Sequence, residues 1–185
     1  ELPVAVPARR THGAGAPGQW EPSASLDTLR ARADLLTRIR VFFAERQILE
    51  VDTPLLSRHA TVDRHIESFE VPGGGFLHTS PEFAMKRLLA AGSGPIYQLC
   101  HVFRAEESGR WHNPEFLMLE WYQPGWDHHR LMDEVESLLA AVGGPASCER
   151  LSYCDAFLRE AGFDPFTAPL TRLREGIQAT GGLSA

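Results

Sequence analysis

Apolar residues first recur at helical spacing. Leu29, Ala33, Leu36, Ile39 and Phe43 fall on one stripe behind Ser25, a residue suited to a helix cap. This predicts a helix over 26–47. A short strand over 48–51 follows and stops ahead of Pro54, because the residue before a proline is pushed toward extended backbone. Residues 68–71 and 76–79 flank Pro72-Gly73-Gly74-Gly75 and read as a hairpin. These glycines lack the Lys-Ser/Thr ending of a phosphate-binding P-loop. Ser80-Pro81-Glu82 then has the order of a helix start: Ser at the cap, Pro at the first helical position, Glu in the first turn. The predicted helix continues to about Ala91 with Met85, Leu88 and Leu89 inward, and Gly92 ends it. Further on, Asp127 is placed to cap a helix carrying Leu131, Val135, Leu138 and Val142, which Gly143-Gly144-Pro145 stops. Two shorter helices fit Tyr153–Ala161 and Leu170–Ala179.

Between these helices the period changes to two. After Pro95, an apolar strand is expected over Ile96–Phe103. Arg104 and Glu106 continue it and point the same way. On a second run Phe116, Met118, Glu120 and Tyr122 are in step, while Leu117, Leu119 and Trp121 point to the opposite face. Nine residues separate Glu106 from Phe116, among them Gly109, Asn113 and Pro114, a composition that suits a long hairpin loop. As antiparallel neighbours the two strands present a guanidinium, two carboxylates, a phenol and a phenyl ring on one surface. Packing alone does not favour that arrangement, because a buried charge is costly without a partner. A ligand bearing both phosphate and amine would pair with these groups.

Composition narrows the options. A hydrophobic fraction of 43% in 185 residues supports one domain with its own core. The net charge of -6 argues against broad phosphate-backbone binding but leaves room for a single nucleotide. Cys100, Cys148 and Cys154 are odd in number and lack a CxxC pair, so they read as reduced thiols of a cytoplasmic protein. No apolar run approaches the roughly 20 residues that span a bilayer, so no membrane partner is expected. Residues 1–24 are rich in Pro, Gly and Ala without periodicity and read as a flexible N-terminal extension. His128 and His129 point in different directions on a helix and read as a solvated pair; no metal-ligating side chains are assigned.

The joint pattern of Phe103-Arg104-Ala105-Glu106, a loop, then His112 and Phe116 resembles the second signature motif of class II aminoacyl-tRNA synthetases. Glu106 followed by Glu107, with His112-Asn113-Pro114-Glu115-Phe116 and Met118-Leu119-Glu120-Trp121-Tyr122, is similar to the lysine-specific branch. The helix, strand and proline at 26–54 resemble the first motif, which implies a homodimer interface. The implied fold is α+β, an antiparallel sheet flanked by helices. The implied cofactors are ATP and Mg²⁺. Arg104 is the implied catalytic residue, beside the α-phosphate, where a planar fork of donors meets developing charge. Arg104, Ala105, Glu106, His112, Asn113 and Phe116 are the implied ATP contacts, with Phe116 stacking adenine and Arg110 reaching the outer phosphates. The family often has Asn where Ala105 stands, so a side-chain hydrogen bond is lost there. Ser80, Pro81, Glu82, Glu120 and Tyr122 are the implied amino-acid contacts, acceptors suited to an ammonium-rich substrate.

Segments around Trp20, His78–Leu88, Gly94–Cys100 and Leu151–Leu158 resemble more closely a truncated branch of that class. Its members activate (R)-β-lysine and transfer it to a lysine ε-amine of elongation factor P instead of tRNA. That resemblance implies elongation factor P as partner, β-lysine or lysine as substrate, and no stable tRNA binding. Only about two dozen residues precede the Leu26 helix, too few for an anticodon-binding barrel. The glycine-rich third motif and its arginine are absent, so residues 25–185 read as the N-terminal part of a catalytic domain, incomplete in its sheet. Glu1–Ala185 alone is not expected to form the adenylate. The alternatives are a lysyl-tRNA synthetase-like enzyme and a non-catalytic nucleotide-binding paralogue.

Overall fold

The computed structural model describes residues 22–105 and 108–179; most of the expected N-terminal extension lies outside them. The elements in chain order are α1 Leu26–Glu45, β1 Leu49–Glu50, β2 Leu56–Ser57, β3 Glu70–Val71, β4 Gly75–Leu77, α2 Glu82–Ala90, β5 Ile96–Phe103, β6 Glu115–Tyr122, α3 His128–Ala141, α4 Tyr153–Ala161 and α5 Leu170–Ala179. They fall into two compact units, one ending at Ala146 and the other beginning at Ser147.

In the first unit, the Ser25 hydroxyl accepts from the Thr28 N–H at 3.1 Å and starts α1. The helix stops two residues before its expected end because Gln47 turns to φ 56, a left-handed conformation. That turn brings Ile48 back onto Phe43. β1 then pairs with β5 in parallel, Leu49 opposite Ile96, and β5 pairs with β6 antiparallel, giving the order β1-β5-β6. The long β5–β6 pair is antiparallel as expected, and the short β1 adds one parallel edge.

The β5–β6 register places Phe103 opposite Glu115 and Ile96 opposite Tyr122, so the two faces separate as the period-two pattern required. Tyr97, Leu99, Leu119 and Trp121 turn toward the helices and pack with Ile39, Phe42, Phe43, Ile48 and Leu138. Phe43 stacks on Tyr97 at 4.3 Å between ring centroids. Burying side chains of this size stabilises by about 1.5–3 kcal/mol each. Ile96, Gln98, Cys100 and Val102 lie on the other face and are equally buried.

α3 is capped by Asp127, whose carboxylate accepts from the Arg130 N–H at 2.8 Å. That bond holds the Asp127 carboxyl below its ordinary range. Its inward face differs from expectation: Glu134 and Leu138 are buried, whereas Leu131 and Val135 are exposed. Glu134 explains the rotation, because its carboxylate accepts from Trp121 Nε1 and from Gln123 Nε2, each at 2.8 Å. On α1, Leu26 and Leu29 are also exposed, so the N-terminal half of the expected stripe has no cover among the described residues.

A second sheet has the order β2-β4-β3. The expected hairpin is present in shorter form, with Val71 opposite Gly75. β2 was not expected. It fits because Gly75 adopts φ +103 and a Cβ there would lie 2.2 Å from the Ser57 carbonyl oxygen. Leu77 leads directly into His78 and Thr79.

In the second unit, Ser152 caps α4 and Gly162, at φ 75, ends it. Tyr153, Phe157, Phe163 and Phe166 form an aromatic cluster with ring centroids 5.4–5.8 Å apart. Among the described residues Cys100, Cys148 and Cys154 form no disulfide. Among the described residues no helix is long and apolar enough to cross a membrane.

Candidate active site

Three segments meet on the sheet face that points away from α1. His78 and Thr79 arrive from β4 and are fixed to the end of β5. The Phe103 N–H donates to the His78 carbonyl at 3.0 Å, and His78 Nε2 lies 2.8 Å from the His101 carbonyl oxygen. The segment between β2 and β3 closes the second side: the Thr79 hydroxyl donates to Thr61 Oγ1 at 2.9 Å, and the Ala105 N–H donates to the Glu67 carbonyl at 2.9 Å. The third segment is the start of α2.

That start differs from expectation. Pro81 is the N-cap and Ser80 lies one residue outside the helix. The Ser80 hydroxyl still accepts from the Glu82 N–H at 3.0 Å, and it donates to Glu120 Oε2 at 2.6 Å. A contact forty residues away thus shares the hydroxyl that local rules assign to capping. The Tyr122 hydroxyl donates to the other Glu120 oxygen. Both partners of the carboxylate are neutral hydroxyls, so its negative charge stays available to a cation. Burial, the Glu120 hydrogen bond and charge, and Glu82 all push the Tyr122 phenol far above its ordinary value, so it stays a donor. Glu82 itself holds Lys86 at 2.5 Å, one helical turn along an exposed face. Pro81 is buried.

Toward the open end of the hairpin, Arg104 is half-buried. Its Nε donates to the Thr79 carbonyl at 3.4 Å, and its guanidinium carbon lies 5.2 Å from the centre of the Phe116 ring. The Arg104 N–H bonds the Pro114 carbonyl at 2.8 Å, extending the ladder past β5. A fixed fork of donors beside an aromatic face suits a nucleotide, whose phosphate and base need one each. Ala105 is half-buried with its backbone pinned by Glu67, as above. His112, Asn113 and Arg110 are exposed on the loop. The loop is closed by a hydrogen bond from the Gly109 N–H to the His112 carbonyl at 3.0 Å, and Arg110 sits over Trp111 at 4.9 Å. Glu106 lies outside the described residues.

The structure therefore gathers Ser80, Glu120 and Tyr122 in one hydrogen-bonded set and Arg104 with Phe116 in a second, on one sheet face. His112 and Asn113 stay out on the loop. Among the described residues no group of three metal-ligating side chains comes together. Two neighbours were missed in the sequence. Gln98 faces Glu120 across the ladder, and Cys100 lies beside it, its thiol lifted by burial to about 11, partly offset by Gln98. An uncharged residue and a cysteine inside an apolar strand gave no signal.

The family model of tRNA synthetases class II (D, K and N) matches residues 20–174. The chain belongs to the class II tRNA synthetases. Within this class it is similar to proteins named elongation factor P–(R)-β-lysine ligase. Identity is 49% over 174 residues to that of Photobacterium profundum, covering 89% of this chain and 54% of the relative. It is 53% over 165 residues to that of Edwardsiella ictaluri, covering 84% and 51%. It is 52% over 174 residues to that of Vibrio cholerae, covering 89% and 53%. This class II chain spans about half the length of the curated relatives it matches.

Proposed function

We propose that this chain supplies one side of the adenylation site of an ATP-dependent ligase. In this reading it activates (R)-β-lysine or lysine and passes the acyl group to a lysine ε-amine of elongation factor P. The observation that carries the reading is the pairing, on one sheet face, of Arg104 and Phe116 with the Ser80–Glu120–Tyr122 set. The first pair suits ATP: Phe116 offers a ring face to adenine, and Arg104 a rigid cation beside the α-phosphate. The second suits an ammonium, with Glu120 as counter-ion and Ser80 and Tyr122 fixing its direction. Residues 80–82, with the buried Pro81 and Glu82 in the first turn of α2, complete the amino-acid side. Mg²⁺ would enter with the phosphates and neutralise them. The substrate carboxylate attacks the α-phosphorus, the new C(O)–O–P link forms, and pyrophosphate leaves. The protein contributes orientation and charge rather than a nucleophile. Ala105 offers its backbone, and Glu106, His112 and Asn113 are assigned to the ATP side on the motif they share with the class.

The relatives' names support the protein acceptor, as does the net charge of -6, which leaves little counterion release to drive tRNA binding. A cytoplasmic homodimer formed through α1, β1 and the exposed Leu26 and Leu29 belongs to the same proposal. To test the acceptor, a protein carrying this chain at the length of its relatives is incubated with ATP and β-lysine, then offered elongation factor P or tRNA. Transfer to elongation factor P alone is expected. Charging of tRNA instead would return the reading to a lysyl-tRNA synthetase, and no adenylation of β-lysine, or of lysine in a parallel reaction, would leave a nucleotide-binding paralogue.

A further inference from the structure

Gln98 lies in the middle of β5 on the site face and is 1% exposed. The ladder sets it directly opposite Glu120, and side chains so paired have Cβ atoms about 4.5–5.5 Å apart. One end of its amide is fixed, because the Thr53 hydroxyl donates to Gln98 Oε1 at 3.0 Å in a buried contact. The other end, Nε2, is buried and has no hydrogen-bond partner among the described residues. The Cys100 thiol on the same face is near enough to feel the amide, which favours its ionised form, but as a neutral thiol it is at best a weak acceptor. An orphaned buried donor costs about 1–3 kcal/mol, and an apolar residue of the same shape would avoid that cost.

Glu120 is the polar residue opposite this donor. A carboxylate offers about four lone-pair sites. Ser80 and Tyr122 use one on each oxygen. An arriving ammonium would take another and draw the carboxylate away from the two hydroxyls. A donor on the residue opposite, its amide held at the other end by Thr53, would oppose that displacement.

Building on the proposed function, we propose that Gln98 is a positioning residue: its amide N–H braces Glu120 when the ammonium of the amino-acid substrate binds. Gln98 does not touch the reacting atoms. Its amide also keeps a single negative charge at this rung of the ladder, where a glutamate of the same shape would set two carboxylates opposite each other.

The test compares Gln98→Met and Gln98→Glu with the unaltered protein, at the length of its relatives, in ATP–pyrophosphate exchange with β-lysine and lysine. Thermal unfolding is followed in parallel. Gln98→Met is expected to stay folded, with an apparent KM for the amino acid raised about tenfold or more and the KM for ATP unchanged. Gln98→Glu, a near-isostere, is expected to raise the amino-acid KM too. Its KM should also vary with pH in the acid range, where protonation of the carboxylate pair would weaken ammonium binding. Should Gln98→Met fail to fold, Gln98→Glu decides alone. An unchanged amino-acid KM would overturn the assignment, as would equal rises in both KM values; a donor satisfied by a buried water predicts the former. If the unaltered protein exchanges with neither amino acid, the functional reading fails first and this inference falls with it.

Discussion

The Ser80 hydroxyl meets Glu120 Oε2 at 2.6 Å, joining the entrance of α2 to the middle of β6. This contact and the Tyr122 hydroxyl make Glu120 a fixed anion whose partners are both neutral. In the proposed function an ammonium would find its counter-ion already oriented, and only the amino-acid side of the reaction should depend on it.

Glu120→Gln keeps the shape and removes the charge. Hydrogen bonds to charged groups contribute roughly 1.5–3 kcal/mol, so the amino-acid KM in pyrophosphate exchange should rise about ten- to a hundredfold. The KM for ATP should not follow. A parallel rise in both would place Glu120 in the general support of the sheet instead.

Alkaline titration probes the phenols. Burial and the Glu50 contact raise Tyr97, and burial and Glu120 raise Tyr122, both above the ordinary 10.0. Each folded-state pKa exceeds its unfolded value, so the stabilisation is complete below about pH 10. It is lost as the pH rises from there toward the folded values, because the unfolded chain releases these protons first. Tyrosinate absorbance from these two residues should thus appear only with unfolding. Tyr122→Phe should make the alkaline fall in stability shallower, as read from denaturant midpoints at increasing pH.

Gly75→Ala tests the scaffold. The new Cβ would sit 2.2 Å from the Ser57 carbonyl oxygen on a backbone at φ +103. Strain at such a position costs on the order of 1–3 kcal/mol even without the clash. The melting temperature should fall and amide protection of the β2–β4 pairing should be lost. An unchanged melting temperature would mean that β2 is not held as described.

The long elements were legible because each carries a repeating signal. The period of two fixed the faces of β5 and β6, and Ser25 and Asp127 marked the starts of α1 and α3. Short or shared features were not legible. β2 is two residues long, too short for a period, and exists because Gly75 lets two backbones approach. Ser80 was read as a cap because local rules cannot see Glu120, forty residues on. The inward turn of Glu134 was not legible because a buried carboxylate runs against hydrophobic patterning, and only the Trp121 and Gln123 donors make it acceptable. In the candidate site, the charged residues stood out by their chemistry, whereas Gln98 became visible only through its place in the ladder.

In the proposed reaction this sheet face forms an aminoacyl-adenylate, with Arg104 stabilising the charge on the α-phosphate. ATP–pyrophosphate exchange with β-lysine, compared between the unaltered protein at the length of its relatives and Arg104→Ala, tests it most directly. Removal of one such preorganised donor lowers rates by roughly a hundred- to a thousandfold. The account predicts a loss of that size, with the variant folded and elongation factor P no longer modified. Near-normal exchange by Arg104→Ala would contradict it.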